Sequence, residues 1–269
     1  MLDLALLALL IVVGVPLFLY LMQEKMIFHP QPLAPAERER LSARPGVEPI
    51  ELAVGQGASV HGWLVKGGTL GPKPLLIYFG GNAEEVSWLI DDAARLSGWT
   101  TALMNYRGFG FSTGKPTQDA LFADALAVHD HLVRHAEVVP THVAVMGRSL
   151  GSGVAVYLAA ERDIKAVVLV SPYDSVRNIA SSRYPFVPVD WLLKHPFDSI
   201  GRAPGIVTPA LMLVAERDAV IEPFRSRLLG KAWGGPVDVR EVPGADHNSI
   251  SRAAGYWPAI EEFLSRFRP

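Results

Sequence analysis

Mostly apolar runs of strand length recur along this chain and alternate with stretches of helical character. The runs are PLLIYF (74–79), TALMNY (101–106), HVAVMG (142–147), KAVVLV (165–170), PALMLVA (209–215) and VDVREV (237–242). Gln118–Glu137 and Val154–Glu161 fill two of the gaps, and the tail Ile250–Phe267 carries Ile260, Phe263, Leu264 and Phe267 at helical spacing. A strand that is apolar on both sides needs cover on both faces, which intervening helices supply. The pattern therefore predicts an α/β domain with a mostly parallel central sheet and helices on both faces. Glu48–Val54 and Ser59–Val65, joined by Gly55-Gln56-Gly57, read as a hairpin ahead of it.

One connection breaks the rhythm. Ser171–Thr208 is long for a link between two core strands, and it holds Tyr173, Tyr184, Phe186, Trp191 and Phe197. An aromatic, proline-rich insertion of that length reads as a lid spanning about residues 171–208.

Composition removes whole classes of function. The 269 residues are 49% hydrophobic and 19% charged, with 25 Lys+Arg against 27 Asp+Glu. Such a chain folds, and its net charge of -2 offers nucleic acid no electrostatic partner. With no cysteine there is no disulfide framework, no Cys-ligated zinc and no thiol nucleophile. The mean hydropathy of +0.22 is high for an enzyme, and much of it comes from the N-terminus.

There, Leu4–Met22 carries no charge. As one helix it would be about 28 Å long, close to a bilayer core of ~30 Å. Met1-Leu2-Asp3 lacks the basic residues of a signal peptide, and Tyr20-Leu21-Met22-Gln23 offers no small-residue cleavage site. The expectation is a single-pass transmembrane anchor (residues 1–23) holding the protein at a membrane. A proline-marked linker (24–46) and the catalytic domain (47–269) follow. Lys25, Arg38, Arg40 and Arg44 all follow the span, which places that domain in the cytoplasm.

G-x-S-x-G occurs at Gly147-Arg148-Ser149-Leu150-Gly151, directly after HVAVM and directly before the apolar helix VAVYLAA. That strand–turn–helix setting is what a nucleophile elbow requires. A second match, Gly110-Phe111-Ser112-Thr113-Gly114, follows a Gly-rich loop and runs into Lys115-Pro116. Context selects Ser149 over Ser112.

A serine hydroxyl needs a base to take its proton and an acid to orient that base. In a sheet of this type the acid and the histidine follow the serine in that order, at the ends of late strands. Asp218 follows PALMLVA and His247 follows VDVREV. Asp246 and Glu216 are the rival acids, and Asp246 is adjacent to His247. His129, His131 and His135 share one predicted helix, where the i, i+2 pair does not face one side. A solvated face, with no metal, is the reading there.

The oxyanion of a tetrahedral intermediate needs backbone donors. One is the N–H after the nucleophile, Leu150. The second comes from the loop Phe79-Gly80-Gly81-Asn82-Ala83, where Asn82 N–H is the candidate.

FGGNAE, NYRGFGFSTGKPT, GRSLGSGVA, SPYDS, LMLVAERDAVIEP and GADHNSI occur in this order. Together they resemble the α/β-hydrolases of the serine-aminopeptidase-like and monoglyceride-lipase-like group, in particular its membrane-anchored single-pass members. The resemblance covers roughly residues 50–267. It implies the α/β-hydrolase fold, a Ser149, Asp218 and His247 triad, an oxyanion hole at Asn82 and Leu150, and no cofactor. It also implies that the Tyr106-Arg107-Gly108 turn is structural. Gly80 departs from the group, many members of which place His there.

The expected protein is a membrane-anchored serine hydrolase that cleaves lipophilic acyl esters or thioesters. The rivals are an aminopeptidase, for which the lid acids Asp174, Asp190 and Asp198 are few, and a non-catalytic scaffold on the same fold.

Overall fold

The computed structural model describes residues 10–68, 71–96 and 98–269. Its centre is an eight-stranded sheet. The strands are β1 (Val47–Val54), β2 (Ala58–Val65), β3 (Lys73–Phe79), β4 (Thr100–Met104), β5 (Val138–Arg148), β6 (Ala166–Val170), β7 (Ala210–Ala215) and β8 (Val237–Val242). Their order is β1-β2-β4-β3-β5-β6-β7-β8. β1 and β2 form an antiparallel hairpin, β2 meets β4 antiparallel, and all later pairings are parallel.

Side chains of successive strand residues point to opposite faces, and this sheet has a core on each. Leu75, Ile77 and Phe79 of β3 join the core that holds Leu121, Ala125 and Val128 of the helix Gln118–Leu132 and Val154 and Leu158 of the helix Leu150–Glu161. Leu76 and Tyr78 join the opposite core with Ile90 and Ala93 of Ile90–Arg95 and Tyr256, Ile260, Phe263 and Leu264 of Tyr256–Ser265. The i, i+3, i+4 spacing of that last set puts its apolar residues on one stripe.

The 171–208 insertion forms three short helices, Val176–Arg183, Val189–Leu192 and Ser199–Arg202. Its aromatics divide in two. Tyr173 and Phe197 are core, while Phe186 is 97% and Trp191 89% exposed.

The expected transmembrane anchor is corrected. Residues 4–9 of the apolar run lie outside the described residues. Among the described residues, no helix is long and apolar enough to cross a membrane. A π-type turn at Leu10–Gly14 gives way to a helix, α1, of 13 residues at Val15–Ile27. At ~1.5 Å per residue α1 is about 20 Å long, short of a bilayer core. It also carries Gln23, which is buried and ties α1 to the 171–208 insertion. Gln23 Nε2 donates to the Leu192 carbonyl (3.1 Å) and Oε1 accepts from Lys194 N–H (2.7 Å). The run without charges concealed both the change of helix type at Gly14 and this polar contact just past its end. The single-pass architecture, the membrane as partner and location, and the orientation drawn from the basic residues fall with the span. Three of those residues make ion pairs instead: Arg38 with Glu51, Arg40 with Glu37 and Arg44 with Asp91.

The proline-marked segment after α1 packs on the domain. Phe28 is 4% exposed, edge-on to the rings of His195 and Phe197. His29 N–H donates to the Asn82 carbonyl (2.8 Å), and Gly110 N–H donates to the Gln31 carbonyl (2.8 Å). A helix at Pro35–Ser42 then buries Leu41.

Candidate active site

β5 runs straight into Ser149, which has φ 51° and ψ -118°. That backbone is strained for a residue with a side chain, and it projects the hydroxyl at the turn between strand and helix. The flanking glycines permit it. A Cβ on Gly147 would overlap the Gly151 carbonyl, and one on Gly151 would overlap the Phe79 carbonyl. Strand and helix are therefore in backbone contact where the motif demands no side chain. Gly153 has a similar role, since its Cβ would strike the Tyr173 hydroxyl, which donates to the Leu150 carbonyl (3.1 Å).

The turns after β7 and β8 bring two more side chains to Ser149. His247 Nε2 lies 2.9 Å from Ser149 Oγ, and His247 Nδ1 lies 2.7 Å from Asp218 Oδ2. All three residues are buried. The second carboxylate oxygen of Asp218 accepts the N–H groups of Val220 (2.9 Å) and Ile221 (2.8 Å). Burial pushes the Asp218 carboxyl up, but the hydrogen bonds from His247 and Ile221 outweigh it and hold it below the usual carboxylate range. The rival acids are placed elsewhere. Asp246 Oδ1 accepts from Asn248 and Ser249 N–H (2.9 and 2.8 Å), and Glu216 accepts from Gly244 N–H (2.6 Å).

Ser149 and His247 open onto a cleft of about 660 Å³, whose walls include Asn82, Trp88, Arg252, Gln31 and Pro32. Asn82 thus shares the cleft with the nucleophile, and Leu150 begins the helix directly after Ser149. The loop before Asn82 is held from below by Tyr106, whose hydroxyl donates to the Gly80 carbonyl (2.7 Å). Burial pushes that hydroxyl well above its usual range, which keeps it a neutral donor.

The NYRGFG turn is a structural loop. Arg107 grips Asp124 through two bonds of 2.7 Å. Ser112, in the second G-x-S-x-G match, is buried and accepts the His61 N–H (2.8 Å). Among the described residues, no group of His, Asp and Glu has metal-site geometry. Of the histidines read as a solvated face, His129 differs: it is buried, with Nδ1 2.9 Å from Asp130.

Glu84 and Arg148 were not singled out from the sequence. Both are charged, largely buried and part of the cleft wall. Arg148 Nη1 meets Glu84 Oε2 at 3.0 Å, and Nη2 donates to the His247 carbonyl (3.0 Å). Burial pulls the Arg148 guanidinium down, and the Glu84 carboxylate more than restores it. The available signal was a charge inside each mostly uncharged motif, GRSLG and FGGNAE.

In such an array His247 can take the Ser149 proton while Asp218 holds its other nitrogen, which is the requirement for nucleophilic attack on a carbonyl carbon. The chain as a whole is similar to known proteins. Residues 74–194 match the family model described as alpha/beta hydrolase fold. An uncharacterized protein of Mycobacterium tuberculosis, Rv2307c, is 31% identical over 258 residues, covering 94% of this chain and 90% of that protein. The alpha/beta hydrolase domain-containing protein WAV2 of Arabidopsis thaliana is 24% identical over 290 residues, covering 96% and 92%. The Pyrococcus furiosus esterase Pf2001 superposes with a TM-score of 0.73 at 18% identity, covering 90% of this chain and 97% of that one. An acetyl xylan esterase from a Paenibacillus species gives 0.68 at 19% identity, covering 84% and 85%. At those identities the two structures speak to the fold alone. With one relative aligned along nearly the whole chain and the family model spanning the segment that carries Ser149, the chain belongs to the α/β-hydrolase family.

Proposed function

We propose that this serine hydrolase cleaves carboxylic esters, and thioesters by the same chemistry, through an acyl-Ser149 intermediate. The observation that carries the reading is the unbroken hydrogen-bonded line Asp218, His247, Ser149. Ser149 Oγ attacks the acyl carbon as its proton passes to His247 Nε2. The tetrahedral oxyanion is received by the N–H groups of Asn82 and Leu150. Collapse breaks the bond to the leaving group, which departs with the proton from His247. Water, deprotonated by the same nitrogen, then attacks the acyl-enzyme and frees the acid and Ser149.

The acyl group is taken as lipophilic in this reading, although the apolar cavity of about 100 Å³ between α1 and the 171–208 insertion, walled by Leu19, Met26, Val176, Tyr184, Val187 and Leu192, shares no wall residue with the Ser149 cleft. The aminopeptidase reading needs carboxylates available for a free amine. The lid acids have other partners: Asp174 is paired with buried Arg225 (3.2 Å), Asp190 with Arg177 (3.5 Å), and Asp198 caps Gly201 N–H. The scaffold reading predicts a broken array, which this is not.

Labelling with a fluorophosphonate, followed by hydrolysis of p-nitrophenyl esters of increasing chain length, tests the proposal. Ser149→Ala should lose both labelling and turnover while keeping its melting temperature. Retained turnover in that variant would remove Ser149 from the mechanism.

A further inference from the structure

Three loops must keep their mutual positions for the proposed chemistry: the one carrying Asn82, the elbow carrying Ser149, and the one carrying His247. A single buried ion pair touches all three. Glu84 Oε2 accepts Gly81 N–H (2.8 Å), the residue directly before Asn82, and also meets Arg148 Nη1 (3.0 Å). Arg148 directly precedes Ser149, and its Nη2 donates to the carbonyl of His247 itself (3.0 Å). The other oxygen of Glu84 accepts from the Tyr78 hydroxyl (2.6 Å) and from Trp88 Nε1 (3.1 Å).

The carboxylate thus takes four donors, and its position is fixed from four directions. Tyr78 lies in β3 and is buried to 2%. Its hydroxyl is pushed well above the usual range, first by burial and then by Glu84, so it remains a donor.

A buried ion pair is a poor way to gain stability, because desolvation offsets most of the attraction and apolar residues of the same volume do as well or better. Its contribution is directional: a guanidinium shared between two partners and a carboxylate bonded by several donors fix geometry. The pair also has an electrostatic role. A carboxylate beside Gly81 would oppose negative charge growing on an oxyanion at Asn82, and the Arg148 guanidinium neutralises it in place.

We propose that Glu84 and Arg148 are positioning residues that lock the oxyanion loop and the His247 loop to the nucleophile elbow, so that transition-state binding, rather than substrate binding, depends on them. The proposal rests on the Ser149, Asp218 and His247 reading above.

The test uses the full chain and measures kcat, KM and melting temperature with p-nitrophenyl butyrate. The dissociation constant of an alkylboronic acid, which forms a tetrahedral adduct with serine, is measured alongside. Arg148→Met should lower kcat about 100-fold with KM within about threefold, and weaken the boronate by a similar factor. Arg148→Lys, which keeps the charge but cannot reach both Glu84 and the His247 carbonyl, should recover part of each loss. Should Arg148→Met fail to fold for want of a partner for Glu84, the neutral double variant Arg148→Met with Glu84→Gln replaces it. Its expected loss is the same, since the link to His247 is still gone. A boronate constant unchanged while the melting temperature falls, or a kcat loss without rescue by lysine, makes the pair a structural element and overturns the proposal. A wild-type chain that neither labels with fluorophosphonate nor binds boronate overturns the triad reading itself. A wild type that does both, beside variants equal to it, overturns this inference alone.

Discussion

The backbone N–H of His29 donates a 2.8 Å hydrogen bond to the carbonyl of Asn82, so the segment after the N-terminal helix is wired to the loop proposed to hold the oxyanion. Neighbouring Gln31 and Pro32 line the cleft on the same side. Removing this segment should therefore affect the reaction as well as the fold.

Phe28 anchors the segment in the core, at 4% exposure. Phe28→Ala should destabilise the protein by about 3 kcal/mol, the usual scale for a deleted core aromatic. Denaturant titration measures that figure. Among folded molecules kcat should also fall, and a variant with wild-type kcat would show that the segment is only packing.

Gly151 faces the Phe79 carbonyl with no room for a methyl group. Because that neighbour is backbone in the central strand, relaxation is expensive. Gly151→Ala should lose about 3 kcal/mol or more. Gly255, whose Cβ would meet nothing, is the matched control and should tolerate alanine within about 0.5 kcal/mol.

Asp218 is held ionised by its hydrogen bonds, below the usual carboxylate range. A carboxyl depressed in the folded state adds stability that is fully present above its unfolded value of about 3.9 and is lost as pH falls through the folded one. Asp218→Asn should lower kcat about 10⁴-fold through the histidine tautomer, with little change in KM. Asp246→Asn, next to the same histidine, should leave kcat within about threefold. Comparable losses in both would reassign the acid.

His61 is buried between Trp63 and Phe111, with ring centroids at 5.0 and 5.7 Å, and burial pushes its pKa down to about 4. The unfolded chain binds that proton near the ordinary value of about 6.5. Stability is therefore full above about pH 6.5 and declines as pH falls toward 4. Melting temperatures between pH 7 and pH 4.5 should decline less steeply in His61→Leu than in the wild type. Parallel curves would mean that His61 is not titrating across the transition.

Sheet class and nucleophile context were legible because both are local: strand runs and the strand–turn–helix around Ser149 are written in consecutive residues. The chain order of Asp218 and His247 was legible for a topological reason, since successive parallel strands end at one edge. Glu84 and Arg148 were not, because the links that matter, Arg148 to Glu84 and Arg148 to His247, join residues 64 and 99 positions apart, which only the folded sheet brings together. Leu4–Met22 misled for the opposite reason. Absence of charge is a property of composition, and it says nothing of how long a regular helix runs or which side chain finds a partner. His129 was misplaced similarly, its burial being set by packing of the whole helix.

Gln23 couples the 171–208 insertion to the N-terminal helix. One amide bonds the Leu192 carbonyl and the Lys194 N–H at once, so residues 192–194 cannot lift without stretching both bonds or taking the N-terminal helix along. The insertion and that helix are thereby one hydrogen-bonded unit, set apart from the Ser149 cleft, whose walls include none of residues 171–208.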